Sequence, residues 1–224
     1  MACFIRCPPT YVGLRGLRTY RLWRFRFESA THNPMTRSMT DKPTLRKTLL
    51  AARKLRHAQA PETAAQNLAE QAMALGLPKS QIIAAYHPMG SEIDVRPLLR
   101  VLEAQGHTLC LPFCESRELG MVFRHFAFGD ALASDGVGGL APLSDAASLR
   151  PDIILLPLVG FDRQGNRLGR GAGYYDKALN ELRQTGPIVT YGMAYDMQMV
   201  DKCPSEPHDQ AIDGVVTETN LYLV

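Results

Sequence analysis

The sequence predicts an α/β protein, a mostly parallel sheet with helices on both faces, and three observations carry that reading. Short apolar runs alternate along the chain with stretches of helical period, the order that packs helices over both sides of a sheet. With 224 residues, 46% of them hydrophobic, the chain can bury one sizeable core, and one domain is expected. Residues 152–183 show the alternation in miniature: an apolar run bounded by Asp and Pro, a loop rich in Gly and Arg, then a helical pattern. That is the layout of a phosphate-binding turn.

Composition narrows the function classes. No apolar run reaches membrane-spanning length. Cys3, Cys7, Cys110, Cys114 and Cys203 form no C-x-x-C pair, and their odd number argues against a disulfide framework, so a reducing cytoplasm is expected. Residues 1–38 carry seven Arg against one Glu, +6, which leaves 18 basic and 21 acidic residues, −3, for the remainder. The predicted domain, residues 39–224, is therefore not basic, and it reads as a small-molecule protein with no call for nucleic acid or membrane. Residues 1–38 are expected to be disordered. An organelle transit peptide, a basic nucleic-acid arm, and translation from upstream of a native start at Met35 or Met39 all fit them.

The elements follow in order. Thr40 or Asp41 caps a first helix, with Pro43 in its first turn and Leu45, Leu49 and Ala52 inward. Lys42, Arg46, Lys47, Arg53, Lys54 and Arg56 take the remaining surface, and pattern alone makes this a solvated face. Lys42 and Arg46 lie one turn apart and point the same way. A second helix spans 62–75, turning Ala65, Leu68, Ala72 and Leu75 inward and ending at Gly76. A strand over 81–86 feeds a loop in which Asp94 caps the helix 95–105, whereas Glu92 has no evident structural task beyond that of a solvated carboxylate. Strands are expected over 108–112 and 121–128, with a turn-rich connection at 136–142. The strand 153–158 leads into the Gly-rich loop, and from Ala172 a helix places Tyr174, Ala178, Leu179 and Leu182 on one side before Gly186-Pro187 closes it. A strand over 188–192 and a turn with a last strand over 213–218 complete the chain.

In the loop, Gly169, Gly171 and Gly173 let the backbone approach a ligand, and free N–H groups at the helix start face it. Arg167 and Arg170 add guanidinium forks suited to phosphate or carboxylate oxygens. Tyr174 stands where a dinucleotide fingerprint needs Gly, and no G-K-[ST] follows. Spacing alone leaves a phosphate site and a tight turn with solvated arginines both open.

The literal string G-F-D-R-Q-G-N-R-L-G-R-G-A-G-Y-Y-D, residues 160–176, resembles the signature of the 5-formyltetrahydrofolate cyclo-ligase family (5,10-methenyltetrahydrofolate synthetase). The resemblance covers about residues 40–220. It includes a K-x-x-x-R pair at Lys42 and Arg46, G-S-E-I-D around Glu92, M-V-F at 121–123, A-Y-x-x-Q at 194–198, and P-x-E-x-x-D ending at Asp209. One departure is G-G-L-A-P at 138–142, where the family carries a Glu before the Pro.

The resemblance implies the three-layer fold shared with ribose-phosphate isomerases and CoA transferases. It implies ATP as co-substrate, Mg²⁺, and 5-formyltetrahydrofolate as substrate. Lys42 and Arg46 would reach the nucleotide phosphates. Arg167, Leu168, Gly169, Arg170, Gly171, Ala172, Gly173, Tyr174 and Tyr175 would wrap them, with one tyrosine lining the site and the other packing inward. His87, Glu92, Arg170 and Tyr174 would border the folate, Arg170 and Tyr174 as catalytic residues, and Asp176 and Asp209 would hold Mg²⁺. In the bare reading, Asp176 complements the positive end of its helix. Fold does not choose function, so a sugar-phosphate isomerase-like enzyme and a non-catalytic nucleotide- or RNA-binding module using the basic tail stand as alternatives.

Overall fold

A computed structural model describes residues 41–59, 61–116 and 119–224; the expectations for residues 1–38 lie outside them. In chain order the elements are α1 (Lys42–Gln59), α2 (Pro61–Met73), β1 (Ile82–Ala84), α3 (Arg96–Ala104), β2 (Thr108–Phe113), β3 (Val122–Phe126), β4 (Leu132–Ser134) and β5 (Leu140–Pro142). There follow β6 (Ile153–Pro157), β7 (Gly160–Phe161), β8 (Arg167–Leu168), α4 (Tyr174–Thr185), β9 (Val189–Met193), a 3₁₀ turn (Asp196–Gln198), β10 (Gly214–Val216) and β11 (Leu221–Leu223).

The main sheet has seven strands in the order β11-β10-β9-β6-β1-β2-β3. Its five inner strands are parallel, and only the edges, β3 and β11, run antiparallel. The most apolar run takes the middle: Ile153, Ile154, Leu155 and Leu156 of β6 are all buried, as a strand covered on both faces must be. Leu68, Leu98, Leu99 and Leu102 of α2 and α3 pack with Ile83, Leu109, Ile153 and Leu155 on one face. Ala178 and Leu179 of α4 pack with Ala84, Ile154, Leu156 and Val215 on the other. The result is the three-layer α/β/α arrangement that the alternation predicts. α1 seats Leu45 and Leu49 on Val159, Leu168 and Val200, beside the strand ends.

Several details differ from the sequence expectation. The turn-rich connection contains an antiparallel hairpin, β4 with β5, whose turn is tied by Asp135 Oδ1 accepting from the Val137 and Gly139 amides. The Gly-rich stretch is preceded by a second small hairpin, β7 with β8, turned around the buried Asp162, which accepts from Asn166 and from the Cys203 amide. The final helix starts at Tyr174, not Ala172, because Gly173 sits at φ 73° in the left-handed region. Asp94 precedes the first turn of α3 by two residues: Val95 is the cap residue, and the Asp94 carboxylate receives the amide and guanidinium of Arg96. Arg53 is not on a solvated face but buried.

This topology creates one crevice. β1 and β6 are neighbours, yet the chain leaves β1 toward β2 and leaves β6 toward β9. Connections diverge at the carboxyl ends of these strands, the place where open parallel sheets take their ligands. Leu156, fully buried in β6, reports on the core beneath it: Leu156→Ala is expected to lose about 2–5 kcal/mol in urea denaturation with an unchanged m-value.

Candidate active site

At that switch point the structure holds a cavity of ≈ 630 Å³, within the usual range for small-molecule sites. The loop after β1 supplies His87, Met89 and Glu92; the end of β6 supplies Pro157, Leu158 and Val159; α1 supplies Lys42, Arg46 and Arg53. The segment 167–176 contributes every residue, and Glu206, His208 and Asp209 close the rim. Every candidate site residue from the sequence lines this one cavity, Tyr174 and Tyr175 included. Tyr175 also packs on the core beside Ala178 and Leu179, and burial, with the nearby Glu92 charge, pushes its hydroxyl pKa far up.

The Gly-rich turn is shaped by two glycines. Gly171 has φ 103°, and a Cβ there would meet Arg46 Cζ at 3.3 Å; Gly173 has φ 73°. Both positions disfavour any side chain. Gly169 has open space around it, and its carbonyl accepts from Arg46 Nε at 2.8 Å, which ties α1 to the loop.

Opposite charges converge in pairs. Lys42 Nζ lies 2.7 Å from Asp209 Oδ2 and 3.2 Å from Glu206 Oε1. Burial pulls the Lys42 pKa down, but hydrogen bonds to Asp209 and Glu206 outweigh it, and the net shift is upward. For Asp209, burial pushes up and the Lys42 and Glu206-amide hydrogen bonds prevail, leaving the carboxyl below its ordinary value. Arg167 Nη2 meets Asp176 Oδ1 at 2.7 Å while Nη1 donates to the Gln210 carbonyl; the Gln210 amide donates back to Asp176 at 3.0 Å. Burial lowers the Arg167 pKa against the opposing charges of Asp176 and Asp209. Across the cavity Arg170 Nη2 lies 3.2 Å from Glu92 Oε1 and donates to the Met89 carbonyl, and Glu92 Oε2 accepts from the Met89 amide at 2.9 Å. Burial, reinforced by Arg96, lowers the pKa of His87, so its ring is neutral at pH 7.

The remaining wall is mostly apolar, Tyr86, Pro112, Cys114, Met121, Val137 and Leu140, with Asp135 the one carboxylate among them. Sequence reasoning missed most of these and Arg53. A signal for Arg53 existed, since it stands four residues beyond Leu49 and eight beyond Leu45, on their stripe. Val137 and Leu140 carried none, because their hairpin reaches the cavity only through tertiary packing.

Asp176 and Asp209 both line the cavity; Asp176 is engaged through Oδ1, and Asp209 through Oδ2, with its Oδ1 4.0 Å from His208 Nε2. Among the described residues no cluster of three or more His, Cys, Asp or Glu is placed to cage a cation. Two carboxylates beside a polycationic loop form the donor set with which Mg²⁺ binds when waters and substrate phosphates supply its other ligands, so the residues present fit that ion.

A crevice at the switch point of a parallel sheet is where α/β enzymes take small-molecule ligands. The chain belongs to the 5-formyltetrahydrofolate cyclo-ligase family, whose sequence model matches residues 38–218, and it is thus a ligase. It is 30% identical over 147 residues to the Escherichia coli (strain K12) protein named 5-formyltetrahydrofolate cyclo-ligase, an alignment spanning 62% of this chain and 79% of that one. With the protein of that name from Mycolicibacterium smegmatis it shares 32% identity over 142 residues, 60% and 72% of the two chains. The NMR structure of 5,10-methenyltetrahydrofolate synthetase from Aquifex aeolicus superposes with a TM-score of 0.65 at 28% identity, covering 81% of this chain and 92% of that one.

The Lys42–Asp209 pair has a defined pH window. Asp209 sits below its unfolded value, so its contribution is present above the ordinary carboxylate range and lost as pH falls through the lowered value; Lys42 is raised, so the pair persists into the alkaline range. In denaturation at stepped pH, Asp209→Asn is expected to be less stable at neutral pH and to show a shallower loss of stability below about pH 4.

Proposed function

We propose that the protein converts 5-formyltetrahydrofolate and ATP into 5,10-methenyltetrahydrofolate, ADP and phosphate. The observation that carries this is the convergence, around one cavity, of the cationic Gly-rich turn with the buried carboxylate of Glu92 from the loop after β1. The chemical obstacle is that a formamide oxygen is a poor leaving group. Transfer of the γ-phosphoryl group to that oxygen forms an O–P bond and releases ADP. N10 then attacks the activated carbon, the C–O bond breaks with the electron pair leaving on phosphate, and the N10 proton passes to solvent as the ring closes.

The chain's own groups position reactants and stabilise charge, with no side-chain nucleophile required. Lys42 and Arg46, one turn apart on α1, and the amides of residues 169–173 face the triphosphate. Arg167 adds positive potential there and holds Asp176 in place. Asp176 and Asp209 would hold Mg²⁺, which when bound neutralises charge on the phosphates. Glu92 accepts from the N–H edge of the pterin, with His87 beside it and Tyr174 bordering the ring. Arg170 spans the join of the two ends through its bonds to Glu92 and Met89, where the transferred phosphoryl group lies between donor and acceptor. A reducing, cytoplasmic setting belongs to the same proposal, supported by the buried free thiols Cys110, Cys114 and Cys203; among the described residues no helix is long and apolar enough to cross a membrane.

The test is the absorbance of the methenyl product when the full chain meets 5-formyltetrahydrofolate. A rise that requires Mg-ATP is expected; no rise with Mg-ATP overturns the proposal, and a sugar-phosphate isomerase would show no nucleotide dependence at all. Arg170→Ala is expected to lower kcat by about 10²–10³-fold while retaining a cooperative thermal transition.

A further inference from the structure

One buried charge at the cavity has no task in the reaction as described. Arg53, on α1, is 2% exposed, and a guanidinium so buried is costly unless its donors are used. Two nitrogens are used: Nε donates to Ser91 Oγ at 3.2 Å and Nη1 to the Leu158 carbonyl at 3.0 Å. Nη2 has no hydrogen-bond partner among the described residues. It is not sealed in, because Arg124 Nε is the one fully enclosed side-chain nitrogen or oxygen without a partner among them. Nη2 is therefore not fully enclosed, and Arg53 is among the residues that line the cavity. Burial lowers the pKa of this guanidinium and the Glu92 charge opposes the shift; starting so far above neutrality, the group stays cationic.

Ser91, which receives Nε, is the chain neighbour of Glu92, whose side chain is 5% exposed and also lines the cavity. One short segment thus sets a fixed acceptor, the carboxylate, near a fixed donor, the Nη2 edge. The pterin ring carries the complement: the 2-amino and N3 hydrogens donate, and the adjacent 4-carbonyl oxygen accepts. We infer that Arg53 contacts the substrate, donating from Nη2 to the pterin 4-carbonyl oxygen while Glu92 accepts from the neighbouring N–H groups. This rests on the folate reading above and extends it to specificity. A 4-amino pteridine would turn donors toward a guanidinium that has no lone pair to accept them, so the site rejects it.

Calorimetric titration of 5-formyltetrahydrofolate and of its 4-amino-4-deoxy counterpart onto the full chain tests this. The wild type is expected to prefer the 4-oxo ligand by about tenfold to a hundredfold. Arg53→Met is expected to abolish that preference and to raise KM for the folate more than it lowers kcat. Ser91→Ala removes the Nε bond, leaves Nη2 in place, and is expected to keep the preference. Arg53→Lys keeps the charge without the fork and is expected to lose most of the preference, which serves if the methionine variant does not melt cooperatively. Selectivity unchanged in both Arg53 variants, or lost equally in Ser91→Ala, overturns the contact. A wild type that does not bind 5-formyltetrahydrofolate overturns instead the folate reading on which it stands.

Discussion

The parallel ladder between β1 and β6 is the constraint on which the site depends. Ile83 pairs with Ile153 and Ala84 with Ile154, and at the far end of this pairing the two connections must part. Nothing in the backbone ladder can fill the gap so created, because each strand's next segment belongs to a different half of the sheet. Loops from both halves, together with α1 lying across the strand ends, become its walls.

Into that gap the fold places charges already compensated. Lys42 with Asp209, Arg167 with Asp176 and Arg170 with Glu92 are each matched within 3.2 Å or closer. Isolated charges would destabilise a crevice this buried, whereas paired ones are tolerable and keep their geometry. The pairs also join separate parts of the chain, α1 to the 206–209 segment and the β1 loop to the Gly-rich turn, so the electrostatics that suit a polyanion also hold the walls together. Arg46 does the same through the Gly169 carbonyl.

Much of the fold was legible because its signals are local. Apolar runs, the inward stripes of α2 and α3, and the terminating Gly76 depend on neighbours in sequence, and each became the element expected. The two small hairpins were not legible: β7 and β8 are two residues each, too short for any period, and their register rests on the buried Asp162 network drawn partly from Cys203. Asp94 misled because the residue before a helical run ordinarily caps it, but its carboxylate found Arg96 instead.

By itself, the sequence determined the α/β class, the central strand and the special turn at residues 169–173, since each follows from periodicity or backbone restriction, whereas Lys42, Arg46, Glu92 and Asp209 became site candidates only through the family resemblance. Only the tertiary structure decided which side chains share a cavity, that Arg53 is interior rather than solvated, and that the β4–β5 hairpin supplies part of the wall. Those outcomes turn on pairings across 38 to 167 residues of chain, Arg53 to Ser91 and Lys42 to Asp209 among them. Burial and electrostatic compensation are properties of such assembled neighbours, and no local stretch of sequence encodes them.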